Sequence, residues 1–371
     1  MSVLSRKRLN KLNVGDKLPT MKEMSDQNSI RFIDLFCGIG GFHIAAEKAA
    51  ALLGVSAECV LSSDIDQPCQ DVYENNFGSK PLGDISKIDA NDIPDHDLLL
   101  AGFPCQPFSI IGHQKGFEDT RGTLFFEIAR ILKAKKPKAF VLENVKMLRG
   151  HNNGRTLGRI LETLRGLGYI VDYRVLNALD FGLPQKRERI FIVGFKKRCS
   201  FTWPDGDVPM KPLSAILETD VPENYYASEY IQKKRLASRK PTGELTIWHE
   251  NKSGHISAYP YSCALRAGAS YNYLLVNGKR RLTPREMLRL QGFPDSFKIT
   301  CNYSQSRKQA GNSLPVPTAQ AILFQLFASQ GWHSGLYTRE IYEIKSTNKQ
   351  MILLEGKSKY DCKKKSETAN S

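Results

Sequence analysis

Apolar and polar residues follow two different periodic patterns along this chain. Short apolar runs that end in glycine or polar residues predict strands, and apolar residues that recur every three to four positions predict helices. The predicted strands cover residues 30–36, 58–62, 97–101, 139–142, 169–176 and 190–194. The predicted helices cover residues 43–53, 123–134, 156–167 and 317–328. Strands that alternate with helices indicate an α/β fold built on a mainly parallel sheet.

This alternation stops after residue 195, where proline, glycine, tyrosine and basic residues mix. The change predicts a separate, mostly β domain, the alternative being a basic solvated surface. Thr283, Pro284 and Glu286 then predict the capped start of a helix. The predicted domain ranges are 1–29 for an N-terminal arm, 30–195 plus 305–340 for a discontinuous large domain, 196–282 for the small domain, 283–304 for a brace between the two, and 345–371 for a lysine-rich, disordered tail.

A glycine-rich turn, residues 37–42, joins the first predicted strand to the first predicted helix. Glycine lets a ligand approach the backbone, and the free amides of the helix N-terminus face that ligand. Asp64 follows Gly41 by 23 positions, close to the spacing at which an acid meets ribose hydroxyls in nucleotide-binding folds. Asp84 is a further candidate at the same edge. The turn lacks the Gly-x-Gly-x-x-Gly order, so a dinucleotide is the less favoured ligand.

Two further candidates for chemistry follow predicted strands. Cys105 comes directly after Pro104 at the end of an apolar run, where open α/β sheets bind ligands, and a thiolate there would be a nucleophile. The alternative is a small apolar cysteine packed under a turn. Glu143 ends the strand at 139–142, so its carboxylate should lie at the same sheet edge as the thiol. Alone it would more simply be a capping or solvated acid.

The composition narrows the choice of partner and compartment. The chain of 371 residues has 53 Lys and Arg against 38 Asp and Glu, a net charge of +15 that favours a polyanionic partner, although many basic proteins are simply soluble. Its eight cysteines form no C-x-x-C pair, so we expect no disulfide framework, no metal site and a reducing, cytoplasmic setting. No apolar stretch is long enough to cross a membrane, and we expect a soluble protein without a membrane partner.

Five short motifs occur in one order: the glycine turn, Pro104-Cys105-Gln106, Glu143-Asn144-Val145, Gln185-Lys186-Arg187-Glu188-Arg189 and Gly311-Asn312-Ser313. In this order, from about residue 31 to about residue 330, the chain resembles the DNA (cytosine-5) methyltransferase family, of the bacterial restriction-modification type. The resemblance implies a Rossmann-like S-adenosylmethionine-dependent methyltransferase fold, with helices on both faces of a mixed sheet, and a smaller, mostly β target-recognition domain. It also implies methyl transfer from S-adenosylmethionine to carbon 5 of a flipped-out cytosine in double-stranded DNA.

The resemblance implies roles for individual residues. Cys105 would add to carbon 6 of cytosine, Glu143 would serve nitrogen 3 and the exocyclic amine, and Arg189 would hold oxygen 2, with Arg187 supporting the site. Because Arg187 and Arg189 are two positions apart in an extended segment, both should point to one face. The implied cofactor-binding residues are Phe36, Ile39, Gly41, Asp64, Ile65, Asp84, Ile85, Pro104, Leu124, Asn312 and Ser313. The implied DNA-binding residues are Gln106, Ser109, Gln114, Lys115, Arg121, Arg266 and Tyr271, with residues 109–122 as a mobile lid.

The chain departs from the family pattern in two positions. Ile65 stands where this type often has a tryptophan beside the adenine, and Ala264-Leu265 stands where a threonine usually precedes an aliphatic residue. Two alternatives stay open: a related enzyme that methylates tRNA, and a catalytically silent DNA-binding relative. We also expect a monomer that is paired in function with a restriction endonuclease.

Overall fold

The structure is a computed structural model that describes residues 29–104, 124–240 and 243–334. The described strands are β1 Ser29–Leu35, β2 Ser56–Ser63, β3 Leu98–Gly102, β4 Ala139–Val145, β5 Ile170–Asn177, β6 Gln185–Lys186, β7 Glu188–Phe195, β8 Ile247–Glu250, β9 Ile256–Tyr259, β10 Ser262–Cys263 and β11 Leu274–Val276. The described α-helices are α1 Gly41–Leu52, α2 Gln67–Phe77, α3 Leu124–Lys135, α4 Arg155–Gly166, α5 Glu229–Ser238, α6 Pro284–Gln291, α7 Tyr303–Asn312 and α8 Val316–Ser329.

Six strands form one mixed sheet in the order β2-β1-β3-β4-β7-β5. β2, β1, β3 and β4 are parallel, and β7 runs antiparallel to both β4 and β5. The chain leaves β1 to one side for β2 and returns to the other side for β3. The carboxyl ends of β1 and β3 therefore border the crevice where open α/β sheets bind ligands.

Apolar side chains cover both faces of this sheet. The β3 residues Leu98, Leu99, Leu100 and Ala101 are fully buried, as expected of a continuous apolar run in a parallel strand. One face packs against α1 and α8, which contact each other, and the other packs against α3 and α4. The predicted fold class, a mixed sheet with helices on both faces, is confirmed.

Residues 196–282 contain a small antiparallel sheet of three strands in the order β11-β8-β9. Its core includes Trp248, which is almost fully buried and lies against the backbone of Gly278. The strands are only three or four residues long, and the ten-residue helix α5 is an element that the sequence pattern did not predict. The smaller, mostly β region is present, while its limits as a domain stay a prediction.

The capped helix predicted at Thr283 is α6. The Thr283 hydroxyl accepts from the Glu286 amide at 3.2 Å, and the Glu286 carboxylate accepts from the Thr283 amide at 2.8 Å. The helix ends at Gln291, because Gly292 adopts a left-handed φ of 83° that other residues reach at a cost. A Cβ at Gly292 would also lie 2.3 Å from Pro317 Cδ, so this turn seats α6 against the start of α8.

Candidate active site

One edge of the large sheet collects most of the predicted site residues. Parallel pairing sets Gly102 of β3 beside Glu143 of β4, and antiparallel pairing sets Arg189 of β7 beside Val145 of β4. β1 and β2 end at the same edge, at Leu35 and Ser63. Residues that are far apart in sequence therefore meet in one crevice.

Glu143 and Arg189 form a partly buried ion pair at the centre of this edge. The Arg189 Nε lies 2.8 Å from Glu143 Oε1, and Glu143 is only 8% exposed. Burial raises the pKa of the Glu143 carboxyl above its ordinary value, and the neighbouring Arg189 and Arg187 guanidinium groups act in the opposite direction. The net result favours a carboxyl that holds its proton to higher pH than a solvated glutamate, as a general acid requires.

Strand β4 also fixes Phe103, the residue before Pro104. The Asn144 side-chain amide donates to the Phe103 carbonyl at 2.8 Å, and both residues are buried. The backbone that leads to the predicted nucleophile is therefore anchored to the strand that carries Glu143. Cys105 itself lies outside the described residues, as do Gln106, Ser109, Gln114, Lys115, Arg121 and the predicted lid over 109–122.

Arg187 lies in a different environment from Arg189. It interrupts the extended segment between β6 and β7, and its side chain is only 1% exposed. Its guanidinium donates to three backbone carbonyls, those of Leu265, Gly311 and Ser313. Burial lowers the pKa of Arg187 to about 9, with the neighbouring Arg189 charge acting in the same direction. This geometry is that of a positioning residue, whereas Arg189 is the arginine that reaches Glu143.

The glycine turn is mostly buried and is held by an acid from the end of the next strand. Phe36 and Gly38 are half-buried and have left-handed φ angles, 55° and 53°. Among the described residues, no atom beyond the chain neighbours of Gly38 lies within 4 Å of where a Cβ on Gly38 would be. Asp64 accepts from the Gly38 amide and from the Asp66 amide, each at 2.8 Å. Asp64 therefore shapes the turn in addition to any contact with a ligand.

Asp84 is brought beside Asp64 by backbone pairing between the ends of two segments. Leu82 donates to Ser62, and Asp64 donates to Leu82. Asp84 then caps a short 3-10 turn through Ser86, and these hydrogen bonds lower the pKa of the Asp84 carboxyl. The two predicted acids thus lie on adjacent backbone at one rim.

The other predicted cofactor-binding residues differ in how much of each is exposed to solvent. Ile65 is 74% exposed at the same rim. Ile39 and Ile85 are buried in the core, so only their backbone could meet a ligand. Pro104 is exposed and Leu124 is half-buried at the start of α3.

The turn at residues 311–314 closes over the glycine turn. A Cβ at Gly41 would lie 3.1 Å from both Ser313 Oγ and Leu314 Cγ, so the two turns are in contact. Asn312 is exposed and Ser313 is half-buried. Helix α7, which leads into this turn, is tied to α2 by an ion pair between Lys308 and Asp66.

Of the seven predicted DNA-binding residues, two are described. Arg266 is exposed, and its guanidinium lies 4.9 Å from the ring centre of Tyr273. Tyr271 is 46% exposed, with the Arg307 guanidinium 4.2 Å from its ring centre. Both residues lie on the stretch between β10 and β11 that also carries Leu265.

The family model for C-5 cytosine-specific DNA methylases matches residues 30–328. The chain belongs to this family. It is a DNA cytosine-5 methyltransferase. This family membership supports DNA rather than tRNA as the substrate, and an active enzyme rather than a catalytically silent relative.

Two curated relatives of this cytosine-5 methyltransferase are similar over most of their length. The Type II methyltransferase M.NgoBI of Neisseria gonorrhoeae is 59% identical, over 78% of this chain and 90% of the relative. The Type II methyltransferase M.HaeII of Haemophilus aegyptius is 56% identical, over 84% of this chain and 96% of the relative. A solved methyltransferase of Entamoeba histolytica, 17% identical, shares the fold with a TM-score of 0.64 over 82% of this chain and 99% of that one.

Three buried polar residues of this methyltransferase were not predicted as site residues: Asn144, Gln185 and Gln291. Asn144 and Gln185 lie within motifs that the sequence analysis quoted, so their position inside those motifs was the available signal. Gln291 lies within the range 283–304, which was predicted only as a brace between the domains. Within 29–104, 124–240 and 243–334, no group of three or more His, Cys, Asp or Glu could hold a metal ion, and no helix is long and apolar enough to cross a membrane.

Proposed function

We propose that this enzyme methylates carbon 5 of a flipped-out cytosine in a defined sequence of double-stranded DNA, through a covalent adduct between Cys105 and carbon 6. The observation that carries this proposal is the Glu143–Arg189 pair beside the anchored backbone at Phe103. Carbon 5 of cytosine is a weak nucleophile, so a thiolate must first add at carbon 6 and convert the ring to an enamine. Cys105 directly follows the last described residue of that backbone.

Glu143 acts as the acid for this addition. Negative charge arrives in the ring as the thiolate adds, and a protonated Glu143 at nitrogen 3 neutralises it. The raised pKa of Glu143 supports this role. Arg189 holds Glu143 and donates to oxygen 2 of the base, while Arg187 fixes the backbone around the site.

The residues at the glycine turn fit S-adenosylmethionine. Gly38 leaves open space over the turn, Asp64 and Asp84 supply acceptors for hydroxyl and amino groups, and the exposed Ile65 offers an apolar surface for the adenine. Phe36, Gly41 and the backbone of Ile39 would line the methionine and ribose end, Asn312 and Ser313 would close the pocket, and the backbone of Ile85, Pro104 and Leu124 would complete it. S-adenosylmethionine, when bound, supplies an electrophilic methyl group on sulfur.

Residues 196–282 read the sequence, and the lid over 109–122 closes on the flipped base. Flipping is required because neither carbon 5 nor carbon 6 can be reached in a stacked duplex, and it costs a few kcal/mol. Arg266 and Tyr271 contact the duplex from the recognition segment, and Gln106, Ser109, Gln114, Lys115 and Arg121 contact it from the lid. The net charge of +15 supports a polyanionic substrate.

In its biological setting, the enzyme is a cytoplasmic monomer of a restriction-modification system. It protects host DNA from a cognate endonuclease that cuts the same sequence. The names of the two curated relatives, both Type II methyltransferases, support this proposal.

Bisulfite sequencing of host DNA with and without the gene tests the proposed activity. We expect one short motif whose cytosine becomes protected only when the gene is present. Exchanging residues 196–282 for the matching segment of another such enzyme should then move the motif while the modified atom stays carbon 5. An active chimera that keeps the original motif would show that the recognition segment lies elsewhere, and methyl transfer to RNA alone would refute the substrate.

A further inference from the structure

Three buried polar side chains connect the catalytic sheet to two other parts of the molecule. Gln185 and Gln291 are fully buried, and Arg187 is 1% exposed. Gln185 lies in β6, Arg187 directly precedes β7, and Gln291 ends α6. We call these three residues the polar relay.

One end of the polar relay holds the backbone of Leu265 on both sides. The Leu265 amide donates to Gln185 Oε1 at 2.9 Å, and the Leu265 carbonyl accepts from Arg187 Nη1 at 2.9 Å. The next residue, Arg266, donates its amide to the Tyr273 hydroxyl at 2.9 Å. Leu265, which precedes the exposed Arg266 and Tyr271, is therefore held through both its amide and its carbonyl by the segment 185–187 that leads into β7.

The other end of the polar relay holds the turn that contacts Gly41. Gln291 Nε2 donates to the Ala310 carbonyl at 2.6 Å and to the Ser313 carbonyl at 3.3 Å. Arg187 Nη2 donates to the Gly311 carbonyl at 2.9 Å and to the Ser313 carbonyl at 2.5 Å. Ser313 is thus held by two relay members at once.

The two ends also touch each other directly. Gln185 Nε2 donates to the Leu290 carbonyl at 2.8 Å and lies 3.3 Å from Gln291 Oε1, which joins the relay members. A Cβ at Gly311 would lie 2.3 Å from the Ala267 amide nitrogen and 2.7 Å from the Arg266 carbonyl carbon. Only glycine allows this approach. The stretch between β10 and β11, called the recognition stretch below, and the 311–314 turn therefore cannot move independently without breaking this contact.

Displacement of either end would leave buried polar groups without partners. An unsatisfied buried donor or acceptor costs about 1–3 kcal/mol, more when the group is charged. Arg187 raises this cost because its buried charge is balanced mainly by these carbonyls. A shift of Leu265 relative to Ser313 would therefore break hydrogen bonds made by buried groups.

We propose that Gln185 and Gln291 are positioning residues that couple the cofactor pocket at Ser313 to the recognition stretch at Leu265. This inference rests on the proposed function. Correctly read DNA sets the Leu265 backbone, and the relay then holds the 311–314 turn closed over the cofactor. Because coupling between two binding sites is reciprocal, bound cofactor should tighten the binding of the target duplex by the same factor.

The test measures the affinity for S-adenosylhomocysteine, which cannot donate a methyl group, by calorimetry. Each protein is titrated alone and in complex with a duplex that carries the site mapped by bisulfite sequencing. In the unaltered enzyme we expect the target duplex to tighten binding about tenfold, within the usual range of allosteric coupling. Gln185→Met and Gln291→Met, which keep the side-chain length but remove the hydrogen bonds, should each reduce this factor below about threefold.

The proposal predicts that each substitution affects both cofactor binding and DNA discrimination. Gln185→Met removes the hydrogen bond to the Leu265 amide, at the recognition end, yet it should weaken S-adenosylhomocysteine binding in the DNA complex. Gln291→Met touches the cofactor end, yet it should lower the methylation ratio of target over single-mismatch duplexes. Variants that each affect only the nearer site, or that keep the coupling factor of the unaltered enzyme, would overturn the proposal.

Two controls separate coupling from a loss of stability. Leu164→Ala removes a fully buried side chain from α4 on the opposite face of the sheet, so it should destabilise the fold and leave the coupling factor unchanged. Gln291→Asn keeps an amide that is one methylene shorter, and it should reduce coupling even if Gln291→Met does not fold. Loss of coupling in Leu164→Ala would assign the effect to stability and refute the relay. A failure of the proposed function would look different, since the unaltered enzyme would then leave no mapped site.

Discussion

Among the described residues, two arginine–carboxylate pairs with a buried carboxylate differ in how that carboxylate is held. In the bracing segment, Glu286 is fully buried and Arg280 donates to both of its oxygens, at 2.8 and 2.9 Å. The Glu286 carboxylate also accepts from the Thr283 and Glu218 amides, each at 2.8 Å. At the catalytic edge, by contrast, Glu143 meets Arg189 through one ion-pair contact, at 2.8 Å.

The two carboxylates differ in the number of hydrogen-bond donors around them rather than in how deeply they are buried. A buried carboxylate with four donors has no acceptor capacity left for a substrate and serves structure. Glu143 is nearly as buried but has fewer donors, so it has acceptor capacity left for a substrate, and burial raises its pKa. A buried acid that is incompletely satisfied is therefore the better guide to the site than burial or pairing alone.

The largest expected effect is on stability and belongs to the bracing pair. Glu286→Gln should lower the free energy of unfolding by about 3–5 kcal/mol, because it leaves the Arg280 charge buried and unpaired. Urea denaturation measures this loss. Asp295→Asn is the matched control, since Asp295 also takes two bonds from an arginine but is exposed, and it should cost no more than about 1 kcal/mol. Equal losses in the two variants would contradict the contrast.

The second effect is on rate and belongs to the catalytic pair. Glu143→Gln should slow methylation by on the order of a hundredfold, about 2.7 kcal/mol of transition-state stabilisation, because the amide cannot supply the proton. Single-turnover methylation of the target duplex measures the rate. Glu188→Gln removes a neighbouring, partly exposed ion pair with Lys146 and should change the rate less than about threefold. A Glu143→Gln enzyme within tenfold of the unaltered rate would refute the assigned role.

A smaller contrast distinguishes the thiols. Burial raises the pKa of Cys59 to about 12, and it also raises the pKa of Cys37, Cys69 and Cys263. These four cysteines should react with iodoacetamide near neutral pH at least about tenfold more slowly than Cys105, since the thiolate is the reactive form. Mass spectrometry after brief labelling measures the order of modification. Faster labelling of any of the four would remove the basis for choosing Cys105 by reactivity.

The smallest effect is a pH dependence of stability. Because the pKa of Glu143 is raised in the folded state, the folded protein binds more protons than the unfolded chain over the interval above the ordinary value of 4.5. The contribution of Glu143 to the free energy of unfolding should therefore fall as the pH rises through that interval. Subtracting the stability curve of Glu143→Gln from that of the unaltered enzyme isolates this contribution. A difference that grows with rising pH would contradict the direction of the shift.

Local patterns predicted the elements of the large sheet because their information is local. The apolar run at 97–101 and the capping residues at Thr283 and Glu286 each specify an element without reference to the rest of the chain. Helices α2, α5 and α7 were missed because their faces are largely polar and give little periodic contrast. Their helical form depends on packing against other elements rather than on sequence period.

The sequence motifs name candidate site residues but do not show how their environments differ. Arg187 and Arg189 are both arginines of one motif, and only the fold shows that one is buried among carbonyls while the other reaches Glu143. The pairing of Gln185 with Gln291 spans 106 positions, and no local pattern encodes it. Such contacts depend on strand order and on how the last helices return to the sheet.

The most direct test of the account follows a single covalent bond. A target cytosine that carries fluorine at carbon 5 has no proton to lose after methyl transfer, so the Cys105 adduct should persist. With S-adenosylmethionine present, we predict a protein–DNA complex that survives denaturing electrophoresis, with Cys105 in the cross-linked peptide. Cys105→Ser should abolish both the complex and methylation while duplex binding remains measurable. An adduct on another cysteine, or near-normal methylation by Cys105→Ser, would contradict the mechanism.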